Sequence, residues 1–78
     1  MKKDFSYKIG DIISITDKEI TVKDALFQSE YHFTVNKRTY FAKGLKIGDV
    51  CVVCHHHTQG GKCIADTVVL WKGNNEVA

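Results

Sequence analysis

A Gly60–Gly61 pair separates two runs of largely apolar, alternating sequence in the C-terminal half of this 78-residue chain. Glycine pairs favour tight hairpin turns, because glycine adopts positive φ angles without steric cost. Residues 50–71 are therefore predicted to form one long β-hairpin. Its cross-strand pairs would be Val52 with Val69, Cys54 with Thr67, and His56 with Ala65. Successive side chains point to opposite faces of a strand, so the second face would carry Cys51, Val53, His55 and His57 opposite Leu70, Val68, Asp66 and Ile64.

Residues 9–23 show a second alternating pattern, rich in isoleucine, valine and threonine. This pattern predicts a half-buried hairpin with Asp17–Lys18 as a two-residue turn. Ile12 then falls on the polar face, which implies either an exposed isoleucine or a β-bulge. On the apolar face the predicted pairs are Ile15 with Ile20 and Ile13 with Val22.

Residues 30–35 alternate again and predict a third strand with Phe33 on its inner face. The segment that follows has two interpretations. A tight turn at Asn36–Lys37 would place Tyr40 beside Phe33, whereas a continued, bent strand would place Phe41 there. Sequence alone leaves both open.

Five strands joined by short turns, without a predicted helix, are too few for a sandwich and fit a small closed all-β barrel. A chain of 78 residues forms one domain. The barrel core is predicted over about residues 9–71, with polar tails at 1–8 and 72–78. Leu26 or Phe27, in the connection after the second strand, is expected to cap one end of the core.

Four segments resemble those of OB-fold domains, as in cold-shock domains, the smallest bacterial translation initiation factor and small bacterial OB-like domains. They are the opening IGDIISI, the turn-separated EITVKD, the LKIGDVCVV start of the fourth strand, and GGKCIADTVVL in the fifth. The resemblance implies a five-stranded OB-like barrel, with an SH3-like barrel as the alternative. The chain departs from cold-shock domains, because it lacks their aromatic-rich RNA-binding strand motif, and almost nothing remains of the usual helix between strands three and four.

The string Cys51-x-x-Cys54-His55 matches the attachment pattern of c-type haem. In a strand, however, residues three apart point to opposite faces, so both sulfurs could not reach one haem edge. The chain also shows no export signal, which haem attachment normally requires. Haem is therefore disfavoured.

A metal site is a more reasonable hypothesis for the same hairpin. His55 and His57 share a face, and Asp66 is predicted directly opposite His55. Imidazole and carboxylate ligands suit zinc, nickel or copper, so weakly bound zinc or nickel is the expected ligand if any is bound. A second possible cluster is Cys54, His56 and Cys63, although Cys63 has the wrong parity unless the turn shifts. The alternative is a solvated polar hairpin tip.

The leading functional hypothesis is binding of single-stranded DNA or RNA, since OB-folds bind single strands by stacking bases on aromatic rings. Lys23, Lys37 and Arg38 would contact phosphates, and Tyr40 or Phe41 would stack. The net charge of +2 gives this no independent support. The alternative is that the aromatic residues fill the barrel.

The other expectations concern class and compartment. No assembled catalytic constellation is recognisable, so an enzyme is not expected. Three cysteines cannot pair completely, which favours free thiols and a cytoplasmic protein. No membrane segment is predicted. A protein-interaction or structural module, recognisable by an apolar patch or a symmetric oligomer, is the competing functional class.

Overall fold

The computed structural model describes residues 5–71, and the predicted tail at 72–78 lies outside that range together with residues 1–4. Six strands are present in the described range: β1 Phe5–Ile15, β2 Glu19–Asp24, β3 Glu30–Thr34, β4 Tyr40–Phe41, β5 Val50–His57 and β6 Cys63–Leu70. β1 thus begins four residues before the predicted start of the barrel core.

One sheet contains all six strands in the order β3-β2-β1-β5-β6-β4. β3, at one end of this order, also pairs in parallel with β6 through Thr34 and Ile64, which closes the barrel. The predicted all-β, OB-like barrel is confirmed: β1, β2, β3, β5 and β6 are the five expected strands, and the two-residue β4 is added beside β6. None of the described residues forms a helix long and apolar enough to cross a membrane.

The first hairpin has the predicted turn but contains a bulge. Thr16 donates its N–H to the carbonyl of Glu19 at 2.8 Å, which closes the Asp17–Lys18 turn. Ile12 is paired with Val22, and the register then shifts before Ser14, so Ile13 is the extra residue. Of the two interpretations of Ile12, the bulge is correct. The predicted pairing of Ile13 with Val22 is wrong, since Ile12 is fully buried and Ile13 is 37% exposed.

Glycine is required at position 10, where the backbones of the neighbouring strands β1 and β2 lie very close together. A Cβ atom at this position would lie 2.2 Å from the carbonyl oxygen of Lys23 and 2.9 Å from Cγ1 of Val22. Because real Cβ atoms do not approach backbone atoms this closely, only glycine permits the observed spacing of the two strands.

Apolar side chains from five strands fill the barrel, and Phe33 is the largest of them. Leu26 and Phe27 do not cap this core, as was expected, because they are 82% and 75% exposed in the turn after β2. Leu45 packs against the core instead. The fully buried apolar residues are Ile12, Ile20, Val22, Phe33, Cys51, Val53, Ala65 and Val68.

The segment after β3 follows neither predicted path completely. Thr39 donates its N–H to the carbonyl of Asn36, forming a turn, and β4 then pairs in parallel with β6 rather than with β3. Phe41 packs against the core as the second interpretation required, and Tyr40 is 58% exposed.

Candidate metal centre

The second hairpin keeps the predicted register only in its first half. Val52 pairs with Val69 and Cys54 with Thr67, as expected, but the register shifts after Cys54 so that His55 pairs with Ala65. Asp66 is therefore an extra residue on β6. The predicted pairing of His56 with Ala65 is wrong by one residue.

The shift originates at the hairpin tip. Thr58 donates its N–H to the carbonyl of Lys62 at 2.9 Å, enclosing a three-residue loop rather than the predicted two-residue turn. Gly61, the last residue of that loop, has a φ of 87°. This is the usual geometry of three-residue hairpin loops, in which the final position is left-handed and favours glycine.

Because of this one-residue shift, the first side chains of β6 point to the opposite face of the hairpin from the one predicted. Cys63 becomes the partner of His57 and lies on the same side of the hairpin as His55. The sequence pattern gave Cys63 the wrong parity for the face of Cys54 and His56, and the structure places it on the other face, beside His55 and His57. Among residues 5–71, these three side chains form the single group of three or more potential ligands close enough to hold an ion.

The geometry of this His–His–Cys cluster suits one metal ion. Cys63 Sγ lies 3.5 Å from His55 Nδ1 and 3.5 Å from His57 Nε2, and all three ligand atoms are within 4.8 Å of one another. With metal–sulfur bonds of about 2.3 Å and metal–nitrogen bonds of about 2.0–2.1 Å, sulfur and nitrogen ligands of one ion lie about 3.5–3.8 Å apart. The two S···N separations therefore need little adjustment.

His55 is the buried member of the cluster. Its side chain lies against the ring of Phe33, with the ring centroids 4.8 Å apart, and the residue is only 5% exposed. Its Nε2 atom is buried without a hydrogen-bond partner. Burial, followed by the charges of His57 and Lys8, lowers the pKa of His55 below 6.5. His55 is thus held neutral, the form that binds metal.

Cys63 is the potential sulfur ligand of the cluster and lies at a half-buried position. Burial raises the pKa of its thiol above 9.0, so the thiol is protonated at neutral pH. A bound cation would replace that proton, because the thiolate is the ligand form of cysteine. His57, by contrast, is exposed at the tip and leaves the cluster open to solvent on that side.

Asp66 is directed away from the cluster. As the bulged residue it contacts His56 on the outer face, with Oδ2 2.7 Å from Nδ1 of His56. The predicted position of Asp66 opposite His55 is wrong, because Ala65 occupies it. The second predicted cluster is also divided, since Cys54 and His56 lie on the face opposite Cys63.

The two cysteines of the haem-attachment pattern lie on opposite faces of β5, as strand geometry predicts. Cys51 is fully buried in the core, whereas Cys54 alternates to the outer face between Tyr7 and Thr67. Two thiols on opposite sides of a strand cannot bond to one haem edge. All three cysteines are free thiols.

The residues predicted to contact nucleic acid lie at two ends of the barrel. Lys23 faces Glu30 at the start of β3 and Asp11 on β1, so two carboxylates flank it. Lys37 and Arg38 lie in the turn beyond the other end of β3. The four residue steps of β3 separate these positions by about 13 Å.

The predicted stacking residues are divided as well. Phe41 packs against the core, and Tyr40 is exposed on β4 rather than on the outer face of β2 and β3. That face is polar, with the Oγ1 of Thr21 3.0 Å from Nδ1 of His32. OB-folds bind single strands on this face through stacking platforms, so the arrangement does not support the predicted nucleic-acid interface.

The solved structures that superpose on this chain share one fold, that of CusF. A crystal structure of Ag(I)CusF superposes with a TM-score of 0.74 at 18% identity, covering 87% of this chain and 99% of that one. Apo-CusF residues 6–88 from Escherichia coli matches with a TM-score of 0.74 at 18% identity, covering 91% and 92% of the two chains. The chain has the CusF fold. No protein-family model and no curated protein sequence matches it.

Proposed function

We propose that this protein binds one soft metal ion through His55, His57 and Cys63. The observation that carries the proposal is the convergence of two imidazole nitrogens on the Cys63 sulfur, each 3.5 Å from it, on the inner face of the second hairpin. The similar fold of CusF, solved with Ag(I), is consistent with a metal-binding role.

The ligand set favours a monovalent ion over a divalent one. Thiolate ligands prefer soft ions such as Cu(I), and imidazole also accepts zinc and copper. A monovalent ion bound to the Cys63 thiolate and two neutral imidazoles forms a neutral complex, whereas a divalent ion leaves one positive charge. That charge would lie beside the buried His55 and near Lys8, whose ammonium already disfavours a positive charge there. We therefore infer a preference for Cu(I) or Ag(I), with zinc weaker.

The test uses the outer-face residues as matched controls. Metal binding is measured by native mass spectrometry and by competition with a chromophoric Cu(I) chelator under reducing, anaerobic conditions. All proteins carry Cys54→Ser, which removes the outer-face thiol without touching the cluster. In this background we expect one Cu(I) or Ag(I) per chain.

Two pairs of variants then separate a built site from scattered ligands. Cys63→Ser and His57→Gln should weaken binding by about 100-fold or more, since even residues behind the ligands contribute 10–100-fold at metal sites. His56→Gln, which alters the neighbouring histidine on the other face, should leave the affinity nearly unchanged. Equal losses in His56→Gln and His57→Gln would refute the proposed cluster.

Thermal unfolding with added zinc or Ag(I) is an independent test of the inferred metal preference. A ligand that binds only the folded state at 100 times its dissociation constant stabilises it by about 2.7 kcal/mol. For a domain of this size each kcal/mol raises the melting temperature by about 4–8 °C. We expect Ag(I) to raise the melting temperature more than zinc at equal concentration, and a larger shift with zinc would overturn the inferred preference.

A further inference from the structure

Lys8 differs from most lysines of this chain in where its side chain lies. Among residues 5–71, Lys8 and Lys23 are the two half-buried lysines, and the others are exposed. Lys8 is paired with Val53, whose side chain is fully buried. Because directly opposite residues of an antiparallel pair share a face, the Lys8 side chain leaves β1 on the inner side of the barrel wall. A charged group on that side needs a specific partner.

The ring of Tyr31 is that partner. Nζ of Lys8 lies 4.3 Å from the centroid of this ring. A cation this close to an aromatic face is attracted by the ring quadrupole, and more strongly where water is partly excluded. Tyr31 is itself packed against the core from β3, opposite Val22. The ring therefore holds the ammonium at the barrel wall, away from bulk solvent.

The same strands place His55 beside this ammonium. On β5, His55 follows Val53 by two residues on the same inner face, so it is the diagonal neighbour of Lys8 across the β1–β5 pair. Diagonal neighbours of an antiparallel pair are about 7–8 Å apart. On β3, Phe33 follows Tyr31 by two residues, and its ring centroid lies 4.8 Å from that of His55. Two successive inward rings of β3 thus contact the ammonium and the imidazole.

The positive charge of Lys8 acts on His55. Burial is the main cause that lowers the pKa of His55, followed by the charge of His57 and then by that of Lys8. The contribution of His57 ends when it binds a metal, because the ligand form of imidazole is neutral. Asp66 raises the pKa of His55, but less, and its carboxylate lies 2.7 Å from His56 on the outer face. Among these groups, Lys8 is the positive charge that does not depend on the protonation of a histidine.

We propose that Lys8, held by Tyr31, determines the selectivity of the His–His–Cys cluster for monovalent over divalent ions. This inference rests on the proposed function, because it assigns a role beside that cluster. A monovalent ion that displaces the thiol proton of Cys63 leaves the net charge of the site unchanged, so the ammonium has little effect on its binding. A divalent ion adds one positive charge, which the ammonium repels in a partly desolvated setting.

Competition titrations with Ag(I) and with zinc test the role of Lys8, and the measured quantity is the ratio of the two dissociation constants. All proteins again carry Cys54→Ser. Lys8→Met removes the charge and keeps a long side chain, so it should tighten zinc binding by about 10-fold or more and change Ag(I) binding by less than about threefold. Lys8→Arg keeps the charge and should keep the ratio of the parent protein.

Lys23→Met is the matched control. Lys23 is also half-buried, but it lies on the outer face of β2, paired with Asp11 and Glu30. Its substitution removes the same formal charge from the chain and should leave the ratio of dissociation constants unchanged. An equal change in Lys8→Met and Lys23→Met would mean that the net charge of the protein sets the ratio, which would overturn the role of Lys8.

Tyr31 gives a second test that leaves Lys8 in place. Tyr31→Leu removes the aromatic face, so the ammonium can move into solvent and zinc binding should tighten. Tyr31→Phe keeps the face and should behave as the parent protein. Loss of selectivity from general loosening of the site would weaken both ions together, whereas release of the ammonium tightens zinc alone. Thermal unfolding without metal, followed by circular dichroism, shows that each variant is folded.

The failure of this inference and that of the metal site give different results. If the parent protein binds one Ag(I) and Lys8→Met leaves the ratio unchanged, the role of Lys8 is wrong and the cluster stands. If Ag(I) binding survives both Cys63→Ser and His57→Gln, the cluster is wrong, and the role of Lys8 is overturned with it.

Discussion

Replacing Gly10 with alanine tests whether the close approach of β1 and β2 is required by the fold. The added methyl carbon would lie 2.2 Å from the carbonyl oxygen and 2.8 Å from the carbonyl carbon of Lys23. A normal contact needs about 3.5 Å between nonbonded carbon atoms, so the two backbones would have to separate by about 1 Å. Both strands are paired on either side, so neither can move alone.

The expected cost follows from that displacement. Overpacking of a close-packed interior typically costs about 1–3 kcal/mol, and backbone contacts are the least able to relax. The lower entropy of an unfolded chain with alanine recovers about 0.4–1 kcal/mol. The net loss should be about 2 kcal/mol, a large part of the 4–12 kcal/mol expected for a chain of this length. The melting temperature should fall by about 8–16 °C.

Two other glycines calibrate the measurement. Gly60→Ala meets nothing closer than 3.9 Å and needs no positive φ, so its stability should stay within about 0.5 kcal/mol of the wild type. Gly61→Ala has open space but a φ of 87°, which should cost about 1–2 kcal/mol. Urea unfolding followed by circular dichroism gives all three values. If Gly10→Ala unfolds at the same urea concentration as Gly60→Ala, the argument from close approach is refuted.

Three further predictions concern titration and the outer-face pair. Because burial lowers the pKa of His55, the unfolded chain binds that proton more readily, so the free energy of unfolding should be maintained above pH 6.5 and fall as the pH decreases further; a flat profile between pH 7.5 and 5 in urea titrations would contradict this. Burial raises the pKa of Cys51 to about 11, so the stability that the neutral thiol contributes should be fully present below pH 9.0 and lost as the pH rises through about 11. A disulfide reagent at pH 8 should modify Cys54 before the buried Cys51. Asp66→Asn should change Cu(I) affinity by less than about threefold, whereas Cys63→Ser removes a ligand; a large loss in Asp66→Asn would restore the carboxylate to the ligand set.

The strands and their inner faces could be predicted because alternation of apolar and polar residues reports burial directly. The Asp17–Lys18 turn, the inward Phe33 and the pairing of Val52 with Val69 all follow from a period of two. The pattern fails where one strand carries an extra residue, since a single bulge moves every later residue of that strand to the other face.

Each bulge leaves a local sign in the sequence, which is two consecutive residues of the same class within an alternating strand. Ile12 and Ile13 are two consecutive apolar residues between polar neighbours, and Asp66 and Thr67 are two consecutive polar residues between Ala65 and Val68. A doubled residue class inside an alternating strand is what a bulge requires, because the extra residue shares a partner with its neighbour. The sign was used for Ile12 but not for Asp66, and Asp66 was consequently predicted opposite His55, where Ala65 lies.

Leu26 and Phe27 were misread for a different reason. An apolar residue in a loop between two strands has no alternating pattern around it to show which way its side chain points. Both residues lie in the turn after β2, and they are 82% and 75% exposed.

The set of potential metal ligands that this hairpin presents depends on the length of one loop. With a two-residue turn, His55 and His57 would share their face with Asp66, giving two nitrogens and one hard carboxylate oxygen. The three-residue loop ending at Gly61 moves β6 by one position, so the same two histidines face Cys63 and the set becomes two nitrogens and one soft sulfur. Carboxylate ligands favour harder divalent ions and thiolate favours Cu(I) and related ions. The left-handed conformation of a single glycine therefore decides the ligand set, and the Asp66 bulge absorbs the extra residue so that the pairs Val52–Val69 and Val53–Val68 are undisturbed.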